Sequence, residues 1–315
     1  MSYLQIASWN IEHLGGTRSN QLPGQSAFAL AEHIEMSGID VIALQEIYVT
    51  PDAEQVRLTE NGILVSNAGN GGPRNKYLDM VCYLLEEHLD TPWRYFIVPN
   101  RDAGQTRQLC AVMWNTGRLT FNGATKVAVE HDSPDGKLWA RAPHLYDFSS
   151  EIEVFRRNAA GAWVVETERR RLSLIPLHMK SNVGGETVNR KVRAHEAKAL
   201  CEALGDLEGN YDPSLVLIGD TNIVSNAEPA IETFIAAGLI DLNNNDTPTY
   251  VSLQRKGAPF DRAFVAGGRR EFRYSRQYVL HSADLQAHDR FLSDHHMIKI
   301  CVKDYVDDQD PRIPA

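Results

Sequence analysis

Cysteine is scarce in this chain: Cys82, Cys110, Cys201 and Cys301 are the only four in 315 residues, and no two form a C-x-x-C pair. That spacing excludes the paired-cysteine zinc site and the dithiol redox motif, and it predicts buried thiols in a reducing compartment. Long hydrophobic runs are missing as well. No stretch approaches the roughly 18 apolar residues of a membrane span, and Met1–Ile6 lacks the basic and apolar regions of a secretory leader. The expectation is a cytoplasmic protein with no membrane span, although a secreted chain whose leader had been removed would read the same way. Positive charge is also in short supply. Against 41 Asp plus Glu stand 32 Lys plus Arg, a net charge of −9. The overall field therefore repels nucleic acid, and a polyanionic substrate has to be met locally, by a basic patch or a metal.

What the chain does contain is enough apolar material, 43% of its residues, for one large core. Four short runs rich in β-branched residues read as buried strands: Val41–Leu44, Leu172–Leu177, Leu215–Ile218 and Met297–Val302. Helical spacing is clearest over Gln25–Gly38 and Thr187–Leu204. Alternating segments on either side of Asn158-Ala159-Ala160-Gly161 predict a β-hairpin over 151–174. Residues 67–73 read as an irregular loop and 307–315 as a polar tail, with no linker dividing the chain, so 1–315 is expected to be a single domain.

Several apolar runs end abruptly in polar residues, which places reactive groups at strand ends where a rigid sheet can aim them into a common cleft. These are Ser8-Trp9-Asn10-Ile11-Glu12, Leu44-Gln45-Glu46, Pro176-Leu177-His178, Ile218-Gly219-Asp220-Thr221-Asn222, Phe260-Asp261-Arg262 and Ser293-Asp294-His295. One carboxylate-bound hard cation, two imidazoles and an amide suit in-line attack of water on a phosphate ester.

In this order the motifs resemble the endonuclease/exonuclease/phosphatase superfamily, the DNase I-like fold, over Ile6 to Val302. Because a histidine stands at His178, the deoxyribonuclease I and sphingomyelinase branches look closer than the abasic-site endonucleases. Phe260–Gly267 and Arg141-Ala142-Pro143 also look similar to deoxyribonuclease I. Glu12 and Tyr48 depart from that enzyme, which has minor-groove arginines at the matching positions, so its mode of duplex binding is not implied.

The resemblance implies a four-layer α/β sandwich: two packed, mostly antiparallel sheets flanked by helices. It implies Glu46 as principal metal carboxylate, Asn10 beside it, and Asp294 completing or bridging the shell around Mg²⁺, with Mn²⁺ or Ca²⁺ as substitutes. Asp261 would hold His295 in the tautomer that accepts a proton from water, Asp220 and Asn222 would orient that water or the phosphate, and His178 would stabilise developing charge. Arg141 is the expected phosphate contact. Two assignments stay open: Glu12 is an extra metal carboxylate or a solvated side chain, and the runs holding Arg170 and Arg190 are solvated faces or a local phosphate-binding rim. Among the tryptophans only Trp139 is a candidate stacking platform. The remaining histidines, His13 included, read as packing or surface.

The expected activity is a metal-dependent phosphodiesterase, foremost a nuclease acting on DNA or RNA. The alternatives are a phosphatase or phosphodiesterase of phosphoinositides, small phosphate esters or sphingomyelin-like lipids, and a catalytically idle binding module that keeps the fold.

Overall fold

A computed structural model describes residues 3–18, 22–50, 73–98, 107–205, 214–251 and 257–303. The expected loop at 67–73, apart from its last residue, and the tail at 307–315 lie outside the described residues. In chain order the first half comprises β1 (Tyr3–Leu14), α1 (Ala27–Ser37), β2 (Val41–Ile47), α2 (Lys76–Leu89), β3 (Trp93–Ile97), β4 (Leu109–Asn115), β5 (Thr120–Lys126) and a two-residue ladder of β6 (Asp132–Ser133) with β7 (Gly136–Lys137). There follow β8 (His144–Arg157), β9 (Trp163–His178), α3 (Glu186–Gly205), β10 (Leu215–Asp220), α4 (Pro229–Ala236), β11 (Leu239–Asp241), β12 (Asp261–Ala266), β13 (Gln277–Leu280), α5 (Leu285–Phe291) and β14 (Met297–Lys303).

The strands form two six-stranded sheets, ordered β13-β14-β1-β2-β4-β3 and β11-β12-β10-β9-β8-β5. Each is mixed, with one parallel pair at its centre: β1 with β2, and β9 with β10. All other neighbours in the two sheets run antiparallel.

Alternation along the central strands decides what lies between the layers. Ile6, Val41 and Ala43 of the first sheet meet Leu174, Val216, Ile218 and Ala263 of the second in the core between the sheets. The intervening residues face outward. Ala7, Trp9, Ile42 and Leu44 pack under α1 and α2, which contribute Leu30, Ile34, Leu78 and Leu85. On the other side Ile175, Leu177, Leu217 and Phe264 pack under α3 and α4, through Val192, Leu200, Ile231 and Phe234. The result is the expected helix–sheet–sheet–helix sandwich.

The hairpin predicted over 151–174 is the outer half of a longer one. β8 and β9 pair continuously from Arg157↔Trp163 to Tyr146↔Leu174, so the arm and the central sheet share the same two strands. No described helix is long and apolar enough to cross a membrane.

Candidate active site

The inner-face alternation that buries Ile6, Ala43, Leu174, Ile218 and Ala263 continues, at one edge of both sheets, into polar residues. His178 and Asp220 end β9 and β10, Asp261 begins the antiparallel β12, and Asn10 is the last residue of β1 in regular register with β2 before the strand's bulge. Their side chains therefore point into the gap between the sheets, where the apolar core stops. Asp220 pairs in register with His178 on one side and with Asp261 on the other. Gly219 permits this closeness: a Cβ there would lie 2.1 Å from the Leu177 carbonyl oxygen.

Glu46 reaches the gap by a different route. Simple alternation would place it with Ile42 and Leu44, beneath the helices. Instead Glu46 is left-handed, φ 61°, and the pairing of β2 shifts register on both sides between Leu44 and Ile47. Glu12 and His13 are also left-handed, φ 45° and 60°, where β1 shifts register. Bulges of this kind re-aim side chains at functional edges. They bring Asn10 Nδ2 to 3.4 Å from Glu46 Oε1 and 2.9 Å from Asp220 Oδ2, and set His13 Nε2 3.0 Å from Glu46 Oε2.

His295 and Asp261 form the strongest couple in the site. His295 Nδ1 lies 2.8 Å from Asp261 Oδ2, and that oxygen also accepts from Thr249 Oγ1 at 2.6 Å. The His295 carbonyl is pinned by Trp9 Nε1 at 2.8 Å and His288 Nε2 at 2.9 Å, and its amide donates to Ser293 Oγ. Burial opposes protonation of His295, but Asp261, Asp294 and Asp220 outweigh it and raise the imidazole well above its ordinary value. The adjacent His296 turns away, into ring contact with His281 and His288.

His178 is the electrostatic opposite. It is buried, lies 3.8 Å from Glu46 Oε1 and 3.7 Å from Asp220 Oδ2, and its Nδ1 has no hydrogen-bond partner among the described residues. Burial and the nearby Arg141 charge hold it well below the ordinary value, so it is neutral at pH 7. Glu46 is ionised: burial pushes it up, but the His13 hydrogen bond and the imidazole charges outweigh burial and hold it at about 2. Because His178 stays neutral at pH 7, the histidine that holds Glu46 down there is chiefly His13, itself raised by that contact.

The carboxylates test whether a cation suits the site. Burial pushes Asp220 up to about 7, with Asp261 and Glu46 adding to the rise, and burial and Glu46 raise Asp294. Protein cations thus leave part of the negative field uncompensated. Among the described residues no three His, Cys, Asp or Glu side chains are arranged to hold a metal by themselves. An ionised carboxylate, an amide and surplus negative field without a closed cage suit a hard cation that keeps most of its water, as Mg²⁺ does. Glu46 and Asn10 could serve as donors for such an ion, with Asp294, whose Oδ1 lies 4.0 Å from His295 Nε2, alongside.

The other expected residues fall in several places. Glu12 is buried against Arg18, which donates to it through Nε and Nη2; the solvated alternative is therefore wrong. Asn222, left-handed with φ 54°, donates its backbone N–H to Asp220 Oδ1. Arg141 donates to Gln108 Oε1 and lines a small, solvent-open pocket with Cys110, His144 and Pro176. The structure does not bring Arg170 or Arg190 to the cluster by any contact. Arg170 pairs with Glu168 at 3.5 Å, and Arg190 with Glu186 at 2.5 Å and Glu228 at 3.7 Å. Trp139 is buried in the core under α3, so it is no stacking platform. Of the four thiols only Cys82 is fully buried. Sequence reasoning missed His13, Thr249 and Trp9. Only the adjacency of His13 to the Asn10-x-Glu12 motif pointed to it, and the bulge that turns it toward Glu46 has no sequence signature.

The family model described as Endonuclease/Exonuclease/phosphatase family matches residues 7–295. No curated protein matches the sequence. Among solved structures, the chain is similar to an endonuclease/exonuclease/phosphatase from Bacteroides vulgatus, with 12% identity, TM-score 0.57 and coverage of 96% of this chain and 99% of that one. It is similar to the human Nocturnin catalytic domain with bound sulfate anion at 13% identity and TM-score 0.54, covering 95% and 93%. It is also similar to a mannosyl-6-phosphatase from Bacteroides thetaiotaomicron at 16% identity and TM-score 0.53, covering 95% and 99%. With a family model spanning both ends of the polar cluster, from β1 to His295, this chain belongs to the endonuclease/exonuclease/phosphatase family.

Proposed function

We propose that this protein is a divalent-metal-dependent phosphodiesterase, foremost a nuclease acting on DNA or RNA, of the kind found in the deoxyribonuclease I and sphingomyelinase branches. The observation that carries the reading is the pairing of two differently tuned histidines across one gap: His295, charged by Asp261 at 2.8 Å, and His178, neutral beside Glu46 and Asp220. Environments that push two titratable groups apart are how a site assigns separate proton-handling roles.

Asp261 fixes the Nδ1–H of His295, leaving Nε2 to take the proton of the attacking water once the imidazole is deprotonated. Asp220 and Asn222, coupled through the Asn222 backbone N–H, orient that water. His178 donates toward a phosphoryl oxygen as charge develops, and Arg141 holds the phosphate from the side of β8. Glu46 and Asn10 would hold the cation, which when bound would supply neutralisation of phosphoryl charge. The wild type is expected to cleave nucleic acid with Mg²⁺ and to lose activity in EDTA. Glu46→Ala should lower kcat by orders of magnitude and abolish the Mg²⁺-induced thermal shift. Unchanged turnover in Glu46→Ala refutes the assignment.

A second reading, hydrolysis of a small phosphate ester, is favoured by one observation. The arginines expected to form a basic rim are already engaged: Arg171 with Asp147, Arg193 with Glu228, and Arg170 and Arg190 as above. Comparing DNA, RNA, sugar phosphates, inositol phosphates and phospholipid vesicles under one Mg²⁺ condition separates the two.

A further inference from the structure

Helix α3 carries a buried polar stripe where its spacing calls for apolar residues. Asn189, Arg193 and Glu196 stand at i, i+4 and i+7, on one helical face, and are 4%, 0% and 2% exposed. All three spend their hydrogen bonds on the backbone or side chains of the segments that carry the site. Glu196 Oε1 accepts from the Trp139 amide at 2.8 Å, two residues before Arg141, and Oε2 accepts from the Lys180 amide at 2.8 Å, two residues after His178. Arg193 Nη1 donates to the Lys180 carbonyl at 3.1 Å and to Asn182 Oδ1 at 2.9 Å. Its Nε and Nη2 grip Glu228, which in turn accepts from the Val224 amide at 2.8 Å, two residues beyond Asn222. Asn189 Nδ2 donates to the Val183 carbonyl at 2.9 Å. Asn182 closes the set by donating to the Asn222 carbonyl at 2.9 Å.

We propose that Asn189, Arg193 and Glu196 form a positioning plate beneath the active site, with Glu196 as the residue that fixes the distance between the Arg141 segment and the His178 segment. The plate touches no substrate. Its part is to lock three separate segments, which the sheets alone do not hold beyond their strand ends, into one geometry. A full carboxylate is required at 196 because both acceptors are used at once; an amide offers one acceptor and turns a donor toward a second N–H. The inference rests on the phosphodiesterase reading for its kinetic consequence, but its structural half does not.

The test is Glu196→Gln in the full chain, measured by amide hydrogen exchange and by Mg²⁺-dependent hydrolysis of bis(4-nitrophenyl) phosphate. Exchange is expected to rise at least tenfold over 139–141 and 180–183 and to stay within twofold in β1, β2 and β14. Misplacement of catalytic groups by about an ångström costs up to about 10²-fold, so kcat should fall at least tenfold. Leu200→Ala, one turn beyond Glu196 on the same buried face but packed in the apolar core, is the control: it lowers the thermal midpoint but leaves kcat within twofold. Glu196→Gln kcat within twofold of wild type, unaltered exchange at 139–141 and 180–183, or an equal kcat loss in Leu200→Ala overturns the proposal. If Glu196→Gln does not fold, Asn189→Ala replaces it, with kcat expected to fall at least threefold and exchange to rise over 182–184; no change in either overturns the proposal. Absence of diester hydrolysis in the wild type refutes the phosphodiesterase reading instead, and the exchange pattern then decides the plate on its own.

Discussion

Replacing Asp261 by Asn removes a charge from the most tightly built couple in the site while keeping its shape. In the native arrangement Asp261 Oδ2 receives both His295 Nδ1 at 2.8 Å and Thr249 Oγ1 at 2.6 Å, and the Asp261 amide donates back to Thr249 Oγ1 at 2.9 Å. An Asn has two ways to fit. With its oxygen toward His295, the imidazole keeps its tautomer but loses the negative charge that stabilises its protonated form. With its amide nitrogen there, the imidazole must accept at Nδ1, which moves its proton to Nε2 and leaves nothing to take a proton from water. The second outcome removes the general base and the first weakens it, against a full contribution of about 10²- to 10⁴-fold, which is about 3–5 kcal/mol of transition-state stabilisation. The expected result is a kcat loss in that range, a His295 that titrates lower by NMR, and a KM changed little, since Asp261 lies behind the histidine and not against substrate. Folding should persist, because the Asp261 backbone pairs with Asp220 whatever its side chain. A kcat within threefold of wild type in a folded Asp261→Asn protein would show that His295 does not act through this carboxylate.

Two further predictions concern stability. Burial, with the His288 charge adding, pushes His33 down to about 4 from its ordinary 6.5. A base depressed in the folded state contributes stability that is complete above pH 6.5 and lost as pH falls toward 4. The ring is only partly enclosed, so the loss is about 2 kcal/mol; urea titrations at pH 7.5 and 4.5 measure it, and His33→Gln should shrink the difference. A slope of opposite sign would contradict the buried neutral histidine. The second concerns Arg262, fully buried, with its Nη1 on Asp241, Asn226 and the Asn243 carbonyl and its Nη2 on Asp246. Arg262→Met strands Asp241 in the interior and should cost about 3–5 kcal/mol in urea unfolding; a cost under about 1 kcal/mol would mean that the network is slack.

The apolar runs were legible because burial between layers leaves a periodic trace. Val41–Leu44, Leu172–Leu177, Leu215–Ile218 and Met297–Val302 lie in β2, β9, β10 and β14, and the two helical segments became α1 and α3. The polar strand ends were legible for the same reason: Asn10, His178, Asp220 and Asp261 stand where an apolar alternation stops. Segment 151–174 was read too short, since alternation alone does not say that an exposed ladder continues into a buried sheet. The arginines were the weakest reading. In sequence Arg190-Lys191-x-Arg193 is a basic run, yet Arg193 is sealed against Glu228, thirty-five residues away, and Arg262 against Asp241 and Asp246.

The sequence by itself thus determined the core strands, the two helices and the set of polar groups at the strand ends, because strand periodicity and residue chemistry are local properties; the sandwich followed from the resemblance that the ordered motifs carry. Only the tertiary structure decided how those groups are charged and aimed. The bulges that turn Glu46 and His13 together, the carboxylate that charges His295, the burial that keeps His178 neutral, and the α3 plate beneath them all depend on contacts between residues remote in sequence. Electrostatic environment and hydrogen-bond partnership are set by neighbours in space, and for this protein those neighbours come from both sheets.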